Sequence, residues 1–120
     1  MIGAFIPDNH VKHVPDFIAH HQEFLEKGID ELWCLAVNDV FVMNAWGETL
    51  STEGKMRMLS DGSMELVTAM DVTLDLTRSC MGVRSERFVM VIENGKIVHF
   101  LSDENHNQPY FGAQDILAIL

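Results

Sequence analysis

Residues 32 to 37, Leu-Trp-Cys-Leu-Ala-Val, form a short unbroken apolar run, and the next two residues are Asn38 and Asp39. An amphipathic strand with one wet face would alternate; a run without alternation is the pattern of a strand buried on both faces in a parallel sheet. Asn38 and Asp39 offer side-chain oxygens to cap a helix, and Phe41, Ala45 and Trp46 follow at helical spacing over residues 40 to 49. The unit is strand, cap, helix. A parallel strand needs a crossover to reach its neighbour, so this unit points to a layered α/β fold and away from an all-helical bundle or an antiparallel sandwich.

The flanking sequence supplies matching elements. Over residues 15 to 27, Phe17, Ile18, Phe24 and Leu25, joined by His21, recur at three- and four-residue steps, with Pro15 suited to a first helical turn and Gly28 to a C-terminal stop. Residues 56 to 59 read as a short strand, and residues 63 to 70 as a short helix entered through the turn at Asp61-Gly62. No period holds from 71 to 85. Two runs, 88 to 92 and 97 to 101, flank Asn94-Gly95, whose tolerance of positive φ suits a two-residue hairpin turn. A polar loop over 102 to 112 leads to a final apolar helix over 113 to 120. Alternating helices and strands followed by a hairpin and a helix suggest a thioredoxin-like layering. There is no repeat and no interdomain linker, so residues 1 to 120 are expected to form a single domain.

Composition narrows the partners. Eight Lys and Arg against eighteen Asp and Glu leave a net charge of −10, a field that repels phosphate backbones and anionic lipid heads. Nucleic acid and membrane surfaces are therefore excluded as expected partners. With 48% hydrophobic residues the chain can bury a core, yet its longest apolar runs are far too short to cross a bilayer and its start lacks the form of a signal peptide. Cys34 and Cys80 fall short of a disulfide framework and sit in no metal-type spacing. Free thiols in a reducing, cytoplasmic compartment are the expectation, with no cofactor implied.

The stretches GIDELWCLAVNDVFVMNAW, SERFVMVIENGKIV and GAFIPDNHVKHVPDF together resemble the type II, peroxiredoxin-5-like peroxiredoxins, nearly from end to end. The resemblance implies a thioredoxin-like, three-layer α/β fold and a thiol peroxidase ancestry with glutathione or thioredoxin as reductant. It also implies a loop of the form P-x-x-x-T-x-x-C, in which a thiolate attacks the peroxide while a hydroxyl and a later arginine hold its oxygens. Placed on this chain, the loop proline falls on Ile2, the threonine on Ile6 and the reactive cysteine on Asn9, so all three are replaced. The arginine falls on Arg87 and is kept, as is His13-Val14-Pro15. The resolving-cysteine region of some relatives falls near Tyr110, which carries no thiol. A carboxamide neither ionises near neutral pH nor passes through a sulfenic acid. The expectation is a peroxiredoxin-like chain without a family nucleophile, acting as a binding or assembly module and forming a homodimer as type II relatives commonly do.

The resemblance further implies that the chain begins where the family has already completed its central strand. A gap between strand 32 to 37 and strand 88 to 92 would leave two edges unpaired. Direct closure, a very short strand from residues 2 to 5, or completion by another chain would each answer it.

Several residues admit a second reading. Cys80 lies near Arg78, Arg84 and Arg87, and guanidiniums facing it would favour the thiolate, so a thiol oxidoreductase using Cys80, or Cys34, with external reductant is the alternative; ordinary loop and core cysteines are the plain one. Asp8, His10 and His13 could converge on a metal, or simply belong to a helix start. Arg87 could hold a small anion or peroxide in a vestigial pocket, or be paired with Glu86 or Asp8.

Overall fold

A computed structural model describes residues 1–103 and 111–120 of the chain. In chain order these form a π-helical turn (Asn9–His13), α1 (Val14–Ala19), α2 (His21–Glu26), β1 (Leu32–Ala36), α3 (Val40–Thr49), β2 (Met56–Ser60), α4 (Glu65–Ala69) and β3 (Thr73–Leu76). A single 3-10 turn (Thr77–Ser79), β4 (Gly82–Ser85), β5 (Phe88–Glu93), β6 (Lys96–Ser102) and α5 (Ala113–Ile119) complete the fold. None of the helices among the described residues is long and apolar enough to cross a membrane.

The strand, cap, helix unit folds as its sequence demands. β1 pairs in parallel with β2, Cys34 opposite Met58, and α3 forms the crossover between them. Asp39 caps α3, its carboxylate accepting from Val42 N–H at 2.9 Å. Below α3, Met43 and Trp46 bury against Val14, Cys34 and Ala36. A second cluster brings Phe17, Phe24, Phe111, Ile116 and Leu117 together, with Leu32 of β1 and Val89 and Val91 of β5 packed on it. Only alternate residues of β1 are fully buried, because Trp33 is 55% exposed and gives its indole N–H to Glu31. An unbroken apolar run shows that a strand can be buried on both faces; whether a layer covers each face is settled elsewhere in the chain.

The N-terminal helix begins earlier than its periodicity predicts. It is helical from residue 7 and runs through the π-helical turn into α1, then breaks at His20, where φ is −94° and ψ is 9°. Pro15 accounts for the wide turn. It has no N–H for the ladder and its ring crowds the carbonyl four residues back, and a turn closed by Val14 N–H on Asn9 C=O relieves both demands inside a continuous helix. Residues 71 to 85, without a recognisable period, contain the β3–β4 hairpin, with Thr73 opposite Ser85. The alternation Thr-Leu-Asp-Leu is present but four residues long, too short to stand out from the loop around it.

The β5–β6 hairpin turns at Asn94 and Gly95 with φ of 51° and 77°, as the dipeptide predicts, and carries a register shift between Val91 and Ile92. β1 and β5 are not paired to one another: the described strands make three two-stranded sheets, β1–β2, β3–β4 and β5–β6. The expectation of direct closure or of a short strand at residues 2 to 5 is thus corrected. Those residues instead make a turn, and the Met1 amino group donates to the Leu35 carbonyl at 2.8 Å. Most of the predicted polar loop, 104 to 110, lies outside the described residues, as does Tyr110.

Packing of α3 on β2 rests on Gly47, where an added Cβ would sit 2.7 Å from Met58 Cγ and 2.9 Å from Thr52 Oγ1. Gly47→Ala gains about 1 kcal/mol of helix propensity, yet the crowding should outweigh it. A net destabilisation of about 1–3 kcal/mol in urea unfolding is expected, and a stabilised variant would contradict this packing.

Candidate functional site

The site is assembled where the turn at residues 3 to 6 meets the start of the first helix. His10 N–H donates to Ile6 C=O at 2.8 Å, which opens the helix. Ala4 N–H is held by Asn38 Oδ1 at 2.8 Å, tying the turn to the segment that caps α3. Phe5 adopts φ of 60°, a left-handed conformation that is costly for an aromatic residue and persists only where its surroundings impose it. Its ring lies 5.7 Å from that of His10 and 6.4 Å from that of Trp46.

Asn9 is fully buried and both ends of its amide are used. Gly3 N–H points at one end and His13 Nδ1 at the other, at 3.2 and 2.9 Å. A backbone N–H can only donate, so the end facing Gly3 is the oxygen and the end facing His13 is the NH2 group. His13 Nδ1 must therefore accept, which places the ring hydrogen on Nε2. Protonating Nδ1 would set donor against donor. Burial and the nearby Arg87 guanidinium push His13 below its ordinary pKa, in the same direction as this hydrogen bond.

Arg87, 3% exposed, is committed on several sides. Nη1 donates to Phe111 C=O at 2.7 Å, Nη2 to Asp103 at 2.9 Å, and the guanidinium stacks over the Phe111 ring 3.9 Å from its centroid. Among the described residues its ion pair is thus with Asp103 and not with Glu86 or Asp8. Sequence reasoning missed Asp103 because a regular hairpin closed at Asn94-Gly95 sets Arg87 opposite Ser102. The shift after Val91 moves the partner by one residue, and Phe88 then faces Ser102.

Ile2, Ile6 and Asn9, the three positions where the resemblance expects proline, threonine and cysteine, line one cleft of about 250 Å³ with Arg87. Asp8, Lys12, His13 and Asp103 complete its walls. Among the described residues two cations, Lys12 and Arg87, and two carboxylates, Asp8 and Asp103, line it. His10 does not join, since its Nδ1 accepts from Trp46 Nε1 at 3.0 Å. Among the described residues no three His, Cys, Asp or Glu side chains are placed to hold a metal ion, so the grouping of Asp8, His10 and His13 as ligands is not found.

Neither thiol lines the cleft. Cys34 is buried in β1, and burial pushes its pKa up to about 11. Cys80 is exposed, with φ of 58°, in the connection between β3 and β4. Of the arginines near it in sequence, Arg87 is occupied as above and Arg84 Nε donates to Met81 C=O at 2.8 Å.

The family model described as Redoxin matches residues 2–113. Peroxiredoxin-2D of Arabidopsis thaliana is 38% identical over 118 residues, covering 98% of this chain and 73% of that protein. A crystal structure from Burkholderia cenocepacia superposes with a TM-score of 0.94 at 41% identity, over 100% of this chain and 71% of that one. A reduced peroxiredoxin from Vibrio vulnificus, in complex with hydrogen peroxide, gives 0.91 at 32% identity, over 99% and 73% of the two chains.

The two thiols should differ sharply in reactivity. With a pKa near 11, Cys34 is thiolate to only about one part in a thousand near pH 8, and it is buried as well. Iodoacetamide on the folded protein should add one carbamidomethyl group, at Cys80, and two in denaturant. Labelling of Cys34 in the folded protein would show that β1 opens.

Proposed function

The chain belongs to the redoxin family, with peroxiredoxins as its relatives, and on that premise we propose that it acts as a peroxiredoxin-fold binding or assembly module without the family's thiol peroxidase chemistry. The observation that carries this reading is Asn9. It stands where the resemblance puts the reactive cysteine, and its amide is built into the interior by two hydrogen bonds. Ile6, at the threonine position, presents a hydrocarbon wall to the cleft where a hydroxyl would be needed.

What the cleft retains is a small, charge-balanced space in which the guanidinium is already neutralised by Asp103. That balance favours a small polar ligand of little net charge over a free anion. Assembly as a homodimer is supported by apolar side chains left in water, with Phe41 82% exposed and Val40 and Val11 also open. Free thiols fit a reducing, cytoplasmic setting. Exposed Cys80 favours the second reading, a thiol oxidoreductase that uses an external reductant.

With glutathione or thioredoxin as donor, the protein should consume hydrogen peroxide no faster than the variant carrying Cys34→Ser and Cys80→Ser. A sulfenic-acid trap should label neither cysteine. Turnover that disappears with Cys80→Ser alone would establish the second reading.

Restoring the chemistry requires two changes. Asn9→Cys alone places a thiol in the first turn of a helix, where the helix dipole lowers its pKa, but Ile6 still offers nothing to hold the peroxide. Asn9→Cys with Ile6→Thr should raise the peroxide rate well above the single variant, since the two groups act as a unit. Equal rates in the two would show that the Ile6 position no longer faces the reacting atoms.

A further inference from the structure

We propose that Asn9 and His13 form a proton-operated latch on the turn of residues 3 to 6, closed while the His13 ring is neutral and released when it is protonated. The proposal does not depend on what the cleft binds or on whether the chain has peroxidase activity.

The geometry allows one arrangement of hydrogens. Gly3 N–H requires Oδ1, so Nδ2 faces His13 Nδ1, 2.9 Å away, and Nδ1 must carry a lone pair. When a solvent proton binds that lone pair, the Asn9–His13 bond becomes two donors in contact. The amide can restore a bond to the ring only by turning over, which brings Oδ1 to Nδ1–H and NH2 to Gly3 N–H. The proton is therefore exchanged for the tether on Gly3. Asn9 is fully buried, so a mispaired donor there has no ready solvent partner.

The turn has reason to move once released. Phe5 is held at φ of 60°, and once Gly3 is released the turn keeps Ala4 N–H on Asn38 Oδ1 and, at its far end, His10 N–H on Ile6 C=O. Gly3 itself is tightly enclosed, since a Cβ there would meet Arg84 Nη1 at 3.0 Å and Ile6 Cδ1 at 3.2 Å. Ile2 and Ile6, on either side of the tethered residue, wall the cleft, so loosening the turn changes the cleft's shape.

Among the described residues, the charges bearing on the ring come from two sides. Asp8 and Lys12 lie on its own helix, Arg87 at the start of β5 and Asp103 after β6. Arg87 and Lys12 oppose protonation, while Asp8 and Asp103 favour it, and burial adds the largest opposing effect. Because the folded ring binds its proton less readily than the unfolded one, its contribution to stability is complete above the ordinary value of 6.5. That contribution is lost progressively as pH falls below 6.5 towards the lower folded value. The latch is thus closed at neutral pH and opens in mild acid.

Residue-resolved NMR on the whole chain tests it. At neutral pH the His13 nitrogen shifts should report a bare Nδ1 and a protonated Nε2, and the Gly3 amide should be protected from exchange. Through the His13 titration the Gly3 protection factor should fall about tenfold, while amides of β1 hold theirs. Asn9→Asp supplies oxygens to both neighbours, so Gly3 should stay protected and His13 should titrate above its wild-type value. A Nδ1–H tautomer at neutral pH, or Gly3 protection that is constant through the titration in the wild-type protein, would overturn the proposal. So would Asn9→Asp titrating as the wild type does. The wild-type measurement decides the matter even where a variant fails to fold.

Discussion

A carboxamide buried between a turn and a helix has to satisfy a donor group and an acceptor at once, and the neighbourhood of Asn9 is organised around that demand. The oxygen fixes Gly3, the nitrogen fixes the tautomer of His13, and the residue's own carbonyl closes the wide turn that admits Pro15. Asn38 does for Ala4 what Asn9 does for Gly3, so two asparagines from distant parts of the chain hold a turn whose central aromatic residue has positive φ. A thiol at position 9 is a weak donor and a weak acceptor and could not hold both neighbours. An amide there fastens the corner by holding both.

Arg87 is bound by a related demand. A buried guanidinium must be paired to be tolerable, and here Asp103, the Phe111 carbonyl and the Phe111 ring supply the pairing. These contacts join the start of β5 to the end of β6 and to the approach of α5. The same contacts make the arginine a structural tie and set the Asp103 carboxylate beside the guanidinium in the wall of the cleft.

The elements visible in the sequence are those whose cause is local. Asn94-Gly95 made its hairpin because positive φ is a property of those two residues, and Asp39 capped α3 because its carboxylate reaches an N–H three residues on. The resemblance in the opening stretch and around Arg87 located the cleft residues Ile6, Asn9 and Arg87, which the fold does bring together. The first helix stops at Gly28 as expected, but its start and its interior break were misjudged, because the start is set by Ile6 C=O and the break at His20 by the ring's bond to Asp16 C=O, neither of which alters the apolar period. The β3–β4 hairpin was invisible because four alternating residues carry too little signal.

The sequence by itself determined the α/β layering, the net charge of −10, and the presence of Asn9 and Ile6 at the positions where the resemblance expects a thiol and a hydroxyl. These are matters of which side chain occupies which place along the chain. Tertiary structure alone decided the partners: that Arg87 meets Asp103, through a one-residue register shift, that Trp33 stays in water, that His10 turns to Trp46, and that Asn9 faces Gly3 and His13. Each of these depends on distances between segments far apart in sequence or on the direction of a buried polar group. Those are fixed only when backbone packing closes and every enclosed donor and acceptor has to find a counterpart.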